Sequence, residues 1–187
     1  AIVAMITPFK TKRRQLRRFL RREDGTASLE IVLVLPFFMM LFMSAYEGGM
    51  ISMRHMMLER GLDLAVRDVR IGRIVDPEHA VLKKQICDYA SIIPDCTNQL
   101  QLEMVAMDVR NWSNALDGPI ACIDRALDVQ RKVDYGFGVN NELMVLQVCT
   151  LFDPVVPTSG LGKYIPKQNG GAYALVASSA FVMEPFR

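Results

Sequence analysis

From Ile31 to Tyr46 the chain carries no charged side chain, and the stretch around this run starts at Ala27 with Glu30 as its one charged residue. At about 1.5 Å per residue, residues 27–46 give about 30 Å of helix, the thickness of a bilayer's hydrocarbon layer. Glu47 ends the uncharged run. Beyond it Met53, Met56, Met57, Leu64, Val66 and Ile71 recur among Arg54, Glu59, Arg60, Asp63, Arg67, Asp68 and Arg70, an amphipathic helical pattern. One continuous helix from about Ala27 to Arg73 is therefore expected. Pro36 removes a backbone hydrogen bond that membrane helices tolerate losing. Gly61 weakens the helix by about 1 kcal/mol relative to Ala.

Asp76-Pro77-Glu78 reads as the start of a second helix, with Asp76 as N-cap and Pro77 at the first helical position, ending near Ile93 before Pro94. The period then changes. Leu100, Leu102, Met104, Ala106 and Val109 roughly alternate with polar residues, and Leu143 to Leu151 and Tyr173 to Met183 are β-prone runs. Pro119 to Val129 suits a short helix between the first two strands. Pro154, Pro157, Gly160, Gly162, Pro166, Gly170 and Gly171 mark a long turn-rich connection. The expected class is α+β: a long N-terminal transmembrane helix, then a small extracytoplasmic domain with an antiparallel sheet of three or four strands and one or two helices. The corresponding divisions are 1–25, a basic leader; 26–74, the long helix, transmembrane over about 27–46; and 75–187, the outer domain.

Charge sharpens this reading. Residues 1–25 hold eight Lys or Arg and two acidic side chains, which leaves fourteen basic against eighteen acidic residues in the remainder. The basic block abuts an apolar run and does not line a folded face, which argues against nucleic acid as a partner. Cationic residues flanking a hydrophobic segment stay cytoplasmic, so the chain after Tyr46 is expected outside the cytoplasm. A secretory signal places its apolar stretch before a small-residue cleavage site, and here Gly25 comes first, so cutting there leaves the helix on the mature chain. A carboxylate near hydrocarbon is costly, by about 2.5 to 3.5 kcal/mol at a bilayer centre, which makes Glu30 a functional candidate. Its plainer role is a helix N-terminal carboxylate favoured by the dipole in an ordinary signal anchor.

Cys87, Cys96, Cys122 and Cys149 all follow the apolar segment, where an oxidising compartment lets them pair. Four cysteines permit three pairings. Cys87 with Cys96 and Cys122 with Cys149 is favoured, because the first pair closes a short loop around a helix-to-strand turn. A zinc site competes, although the spacings lack the short paired intervals of structural zinc clusters.

Gly25, Ala27, Leu29 and Glu30, then Leu33-Val34-Leu35-Pro36, Glu47-Gly48 and a helical tail with Ala65 and Arg67 together resemble the TadE-like and TadF-like pseudopilins, minor pilin-like proteins of bacterial tight-adherence (Tad) pili. The stretch Ala177 to Phe186 is similar to that family's closing strand. The resemblance covers about a third of the chain, at its two ends. It implies that a prepilin peptidase cuts after Gly25, making Thr26 the new N-terminus, and that Glu30 and Pro36 serve assembly. It further implies that Glu30 pairs with the N-terminal amine of a neighbouring subunit, two buried opposite charges compensating each other. The implied partners are other pilin-like subunits, the pilus assembly machinery, the peptidase and the lipid bilayer, with the chain in the bacterial inner membrane and its outer domain periplasmic. Ile31 stands where major pilins usually carry an aromatic residue, and a large outer domain follows, so the resemblance is to a pseudopilin and not to a bulk filament subunit.

Catalytic patterns are weak. His55 and His79 have no metal-ligand spacing, and Ser178 and Ser179 lie in a β-prone run without a nucleophile elbow. Gly136-Phe137-Gly138 reads as a turn, Asp124, Asp128 and Asp134 as a charged face, and Trp112 as a core or interface anchor. The methionines between Met39 and Met57 suit a surface that packs against several partners, or simple lipid and core contact. The expectation is a non-enzymatic assembly component without a cofactor or metal. The competing expectations are an uncleaved signal-anchored binding or sensory protein and a membrane-tethered hydrolase.

Overall fold

The computed structural model describes residues 26–74, 78–108, 110, 122–125, 133–136, 138, 141–158, 160–168 and 170–184. In chain order these form α1 (Thr26–Arg70), α2 (His79–Tyr89), α3 (Cys96–Gln99), β1 (Gln101–Met107), β2 (Leu143–Phe152), α4 (Gly160–Tyr164) and β3 (Tyr173–Val182). The class is α+β as expected, with one three-stranded antiparallel sheet and three short helices besides α1 among the described residues.

The chain divides into two compact units, Ala1–Met43 and Ser44–Arg187. The boundary falls inside α1, because the second half of the helix supplies part of the outer unit's core. Within the first unit, the described part of α1 exposes its apolar side chains, Val32, Leu33, Phe37 and Leu41 among them. By length and composition α1 is sufficient to cross a membrane.

Helix α1 stops at Arg70, three residues short of the expected end, for a local reason. Gly72 takes φ +72°, the Gly72 amide donates to the Val69 carbonyl at 3.1 Å, and the Arg73 amide donates to the Asp68 carbonyl at 3.0 Å. That pair of bonds is the Schellman termination, which requires the left-handed backbone glycine adopts without strain. The second helix has Glu78 as its N-cap, where Asp76 was expected; Asp76 and Pro77 lie outside the described residues. It ends at Tyr89 and not near Ile93, because Ala90 already leaves the helical region at φ −94°, ψ 51°, its amide making the last bond, to the Ile86 carbonyl at 2.9 Å.

In the outer unit the strand order is β1-β2-β3. Leu102 stands opposite Val148 and Val148 opposite Ala177, while Met104 faces Leu146 and Met144 faces Phe181. These side chains share one sheet face and join Leu58, Leu62, Ala65 and Val69 of α1 and Leu82, Ile86 and Ala90 of α2 in a single core. The central strand buries side chains on both faces: Val145, Cys149 and Leu151 on the far side are buried as well as Leu146 and Val148. The edge strand β3 keeps the alternation of a half-buried strand, with Tyr173, Leu175 and Ala177 buried. Beside β1, the Met104 amide donates to the Asp134 carbonyl at 3.1 Å and the Gly136 amide to the Met104 carbonyl at 3.0 Å, while Phe137, the middle of the expected Gly136–Gly138 turn, lies outside the described residues.

The expected helix over Pro119 to Val129 does not form at Cys122–Arg125, the described part of it. Cys122 is joined to Cys149 in β2, and Arg125 donates to both Asp153 carboxylate oxygens at 3.0 Å, to Gln99 Oε1 at 2.7 Å and to the Leu151 carbonyl at 3.0 Å. Those ties spread the segment along the sheet. The first disulfide joins Cys87 of α2 to Cys96 of α3.

Candidate functional site

The apolar half of α1 carries the first group of sequence-predicted residues. Gly25 lies outside the described residues, and Thr26 is the first residue of the helix. Glu30 is exposed on α1, and among the described residues nothing donates to its carboxylate. Around it Ile31, Val34, Leu35 and Phe38 line a shallow, open apolar groove of about 320 Å³. The spacing explains the grouping, because positions one, four, five and eight residues on from Glu30 fall along one helix face. Pro36 lies within the helix, which continues past it. Chemically this is an acceptor-only carboxylate among hydrocarbon side chains. It suits pairing with a cation from another molecule, since excluding water strengthens such a pair.

A second carboxylate escaped the sequence reading. Glu47 appears in the sequence only as the charge that ends the apolar run, yet it is fully buried. Its Oε1 accepts from the Val155 amide at 3.0 Å and its Oε2 from the Val156 amide at 2.8 Å. The connection between β2 and β3 is therefore clamped to α1. Two turns further along, Arg54 Nη1 donates to the Asp153 carbonyl at 3.2 Å and to the Tyr173 hydroxyl at 2.7 Å, and its guanidinium lies 5.0 Å over the Phe152 ring. Burial pushes the Tyr173 phenol above its usual range, against the pull of Arg54.

A third polar group fixes α2 to α1. Asp68 is buried and accepts from Tyr89 at 2.5 Å and from Arg73 at 3.2 Å. The bond to that carboxylate raises the Tyr89 pKa. Gly61 sits where α2 crosses: a Cβ there would stand 2.9 Å from Ala90 Cβ and 3.0 Å from the Ile86 carbonyl oxygen. The sequence reading of Gly61 as a weak point missed this close approach.

The remaining candidates are scattered. His55 places Nε2 3.0 Å from the Val176 carbonyl oxygen and Nδ1 3.6 Å from Glu59, and His79 packs edge-on against Tyr135. Ser178 and Ser179 lie in β3. Among the described residues no three His, Cys, Asp or Glu side chains are placed to hold a metal ion. Trp112 and Asp128 lie outside the described residues. Searches of protein-family models, curated proteins and solved structures give no match to this chain.

Proposed function

We propose that the chain is a pseudopilin-like assembly subunit, cut after Gly25 and held in the membrane by the apolar half of α1, with its outer unit on the extracytoplasmic side. The observation that carries the reading is Glu30: a carboxylate with no donor among the described residues, set in an apolar groove, behind a basic segment that ends at a glycine. An unpaired charge among hydrocarbon side chains is costly in a bilayer, and pairing with a cation from another subunit removes that cost. On a helix beginning at Thr26, Glu30 stands one turn from the amine that cleavage frees, so the same residue in a neighbour can reach such an amine.

Mass spectrometry of the chain made beside a prepilin peptidase tests the proposal. The expected mature N-terminus is Thr26, and a chain that keeps Arg21 and Arg22 refutes the reading. Glu30→Ala should leave processing and protein level unchanged while abolishing incorporation into pili.

A second reading, an uncleaved signal-anchored binding protein, draws on an open recess of about 530 Å³ in the outer unit, bordered by Ile51, Leu161, Ile165 and Tyr173. It expects Gly25→Trp to leave function intact, whereas the assembly reading expects loss of processing and of pili.

A further inference from the structure

The connection from β2 to β3 is tied to α1 at one level. The Glu47 carboxylate holds the Val155 and Val156 amides, Leu161 Cδ2 comes to 3.4 Å from where a Cβ on Gly48 would stand, and Ser44 Oγ lies 3.3 Å from where one on Gly160 would stand. This level, Ser44 to Gly48, is where the uncharged run ends. The segment nevertheless turns apolar and aromatic side chains outward: Tyr164 is 80% exposed, Val155 42% and Leu161 37%, and Tyr46 of α1 is 49% exposed. Among the described residues, the other large apolar side chains exposed in the outer unit away from α1, Ile71, Val81 and Val182, are distant from one another in sequence.

Charge sets the partner. From Pro154 to Ala172 the sequence has Lys163 and Lys167 and no acidic residue, in a chain whose part beyond residue 25 carries four more acidic than basic side chains. Lys163 Nζ lies 5.9 Å from the centre of the Tyr164 ring. Tyrosines flanked by lysines at the end of a hydrophobic span are the chemistry of the membrane–water interface, where the ring sits among headgroups and the ammonium meets phosphate. A soluble acidic protein could satisfy the lysines, but it offers no reason for the aromatic and aliphatic side chains to gather at the level where the span ends.

We infer that residues 155–158 and 160–168 form a second membrane contact, seated in the headgroup layer of an anionic leaflet where α1 leaves the hydrocarbon. The inference rests on the membrane-spanning part of the proposed function. In this arrangement Glu47 has a purpose beyond stability: it fixes the height of the loop on α1, so the outer unit is held against the bilayer at two points.

The test uses the full chain in nanodiscs whose lipids carry brominated acyl chains, with Trp112→Phe as background and one tryptophan reporter at a time. In discs containing anionic phosphatidylglycerol, the Tyr164→Trp reporter should be quenched roughly threefold more than a Val81→Trp reporter on α2, as expected for an interface-seated ring. Lys163→Glu with Lys167→Glu should erase that excess, each lysine being worth roughly fivefold in attraction to an anionic surface. Equal quenching at the two positions, with a Phe38→Trp reporter in α1 strongly quenched, overturns the second contact and leaves the span standing. An unquenched Phe38→Trp reporter overturns both. A blue shift of the Tyr164→Trp emission that follows the protein-to-lipid ratio and not bromine assigns the face to another copy of the chain and likewise overturns the inference.

Discussion

Glu47→Gln is the sharpest perturbation of the outer unit, because it keeps the side chain's shape and removes only the charge. The native carboxylate accepts two backbone amides, from Val155 and Val156, in a fully buried position. Glutamine retains one carbonyl acceptor and turns an NH₂ donor toward the other amide. The loss is one hydrogen bond to a charged group, about 1.5 to 3 kcal/mol, with the surviving bond reduced to a neutral one. Relief of the carboxylate's desolvation offsets part of this, so a net loss of about 2 kcal/mol is expected. Since the broken ties hold one connection and not the sheet, the effect should concentrate there. Trypsin reports on it directly, because Lys163 and Lys167 are the only cleavage sites between Pro154 and Ala172. When cleavage follows local opening, about 2 kcal/mol raises its rate roughly thirtyfold. The melting temperature in detergent should fall by about 4 to 8 °C. Unchanged cleavage at both lysines, with an unchanged melting temperature, would refute the clamp.

Three further outcomes follow from the packing. Gly61→Ala gains about 1 kcal/mol of helix propensity but overpacks against Ala90 and the Ile86 carbonyl for about 2, so chemical denaturation should show a net loss; a gain would mean α2 does not approach that closely. Removing the Cys87–Cys96 bridge, which spans 9 residues, should cost roughly 2.6 kcal/mol, and removing Cys122–Cys149, which spans 27, roughly 3.6; denaturant midpoints of the paired Ser variants check the order. Tyr173 has a raised folded pKa, so its neutral form is favoured by folding: that stability is fully present below about pH 10 and is lost as pH climbs through the folded value. Tyr173→Phe should therefore be less stable than wild type at pH 7, by about 1 kcal/mol for the lost Arg54 partner, with the gap closing above pH 10. Tyr89, shifted the same way, and Lys83, whose pKa burial lowers, titrate in both proteins and cancel from the difference.

Periodicity made the scaffold legible. The three strands fall where alternating or β-branched runs predict them, and α1 follows from a long apolar run continued by an amphipathic one. The stop at Arg70 is also written locally, in Gly72 just past the last periodic residue, where a left-handed glycine outweighs the apolar pattern that runs on to Ile71. What stayed hidden was long-range. Glu47 binds two backbone amides 108 and 109 residues away, and an amide belongs to every residue but proline, so no side-chain pattern announces it. Gly61 read as a defect because its contact, Ala90, belongs to another helix. Arg125 read as helical because its partners Gln99, Leu151 and Asp153 are gathered only once the sheet has formed.

The placement of the unit boundary inside α1 has a consequence for truncation. Leu58, Leu62, Val66 and Val69 are at most 6% exposed and belong to the core that covers the sheet. At about 1.5 to 3 kcal/mol for each buried aliphatic side chain, the four contribute about 6 to 12 kcal/mol, as much as the whole net stability of an ordinary domain, about 5 to 15. A chain starting at Ser44 keeps them and also keeps Glu47 and Arg54; one starting at Ile71 loses all six. Expressed in an oxidising compartment so that both disulfides form, residues 44–187 should give dispersed amide resonances and a cooperative melt, while residues 71–187 should give neither. Cooperative unfolding of the shorter fragment would show that the sheet, α2 and the two crosslinks hold a core by themselves, and that α1 is only an attached stalk.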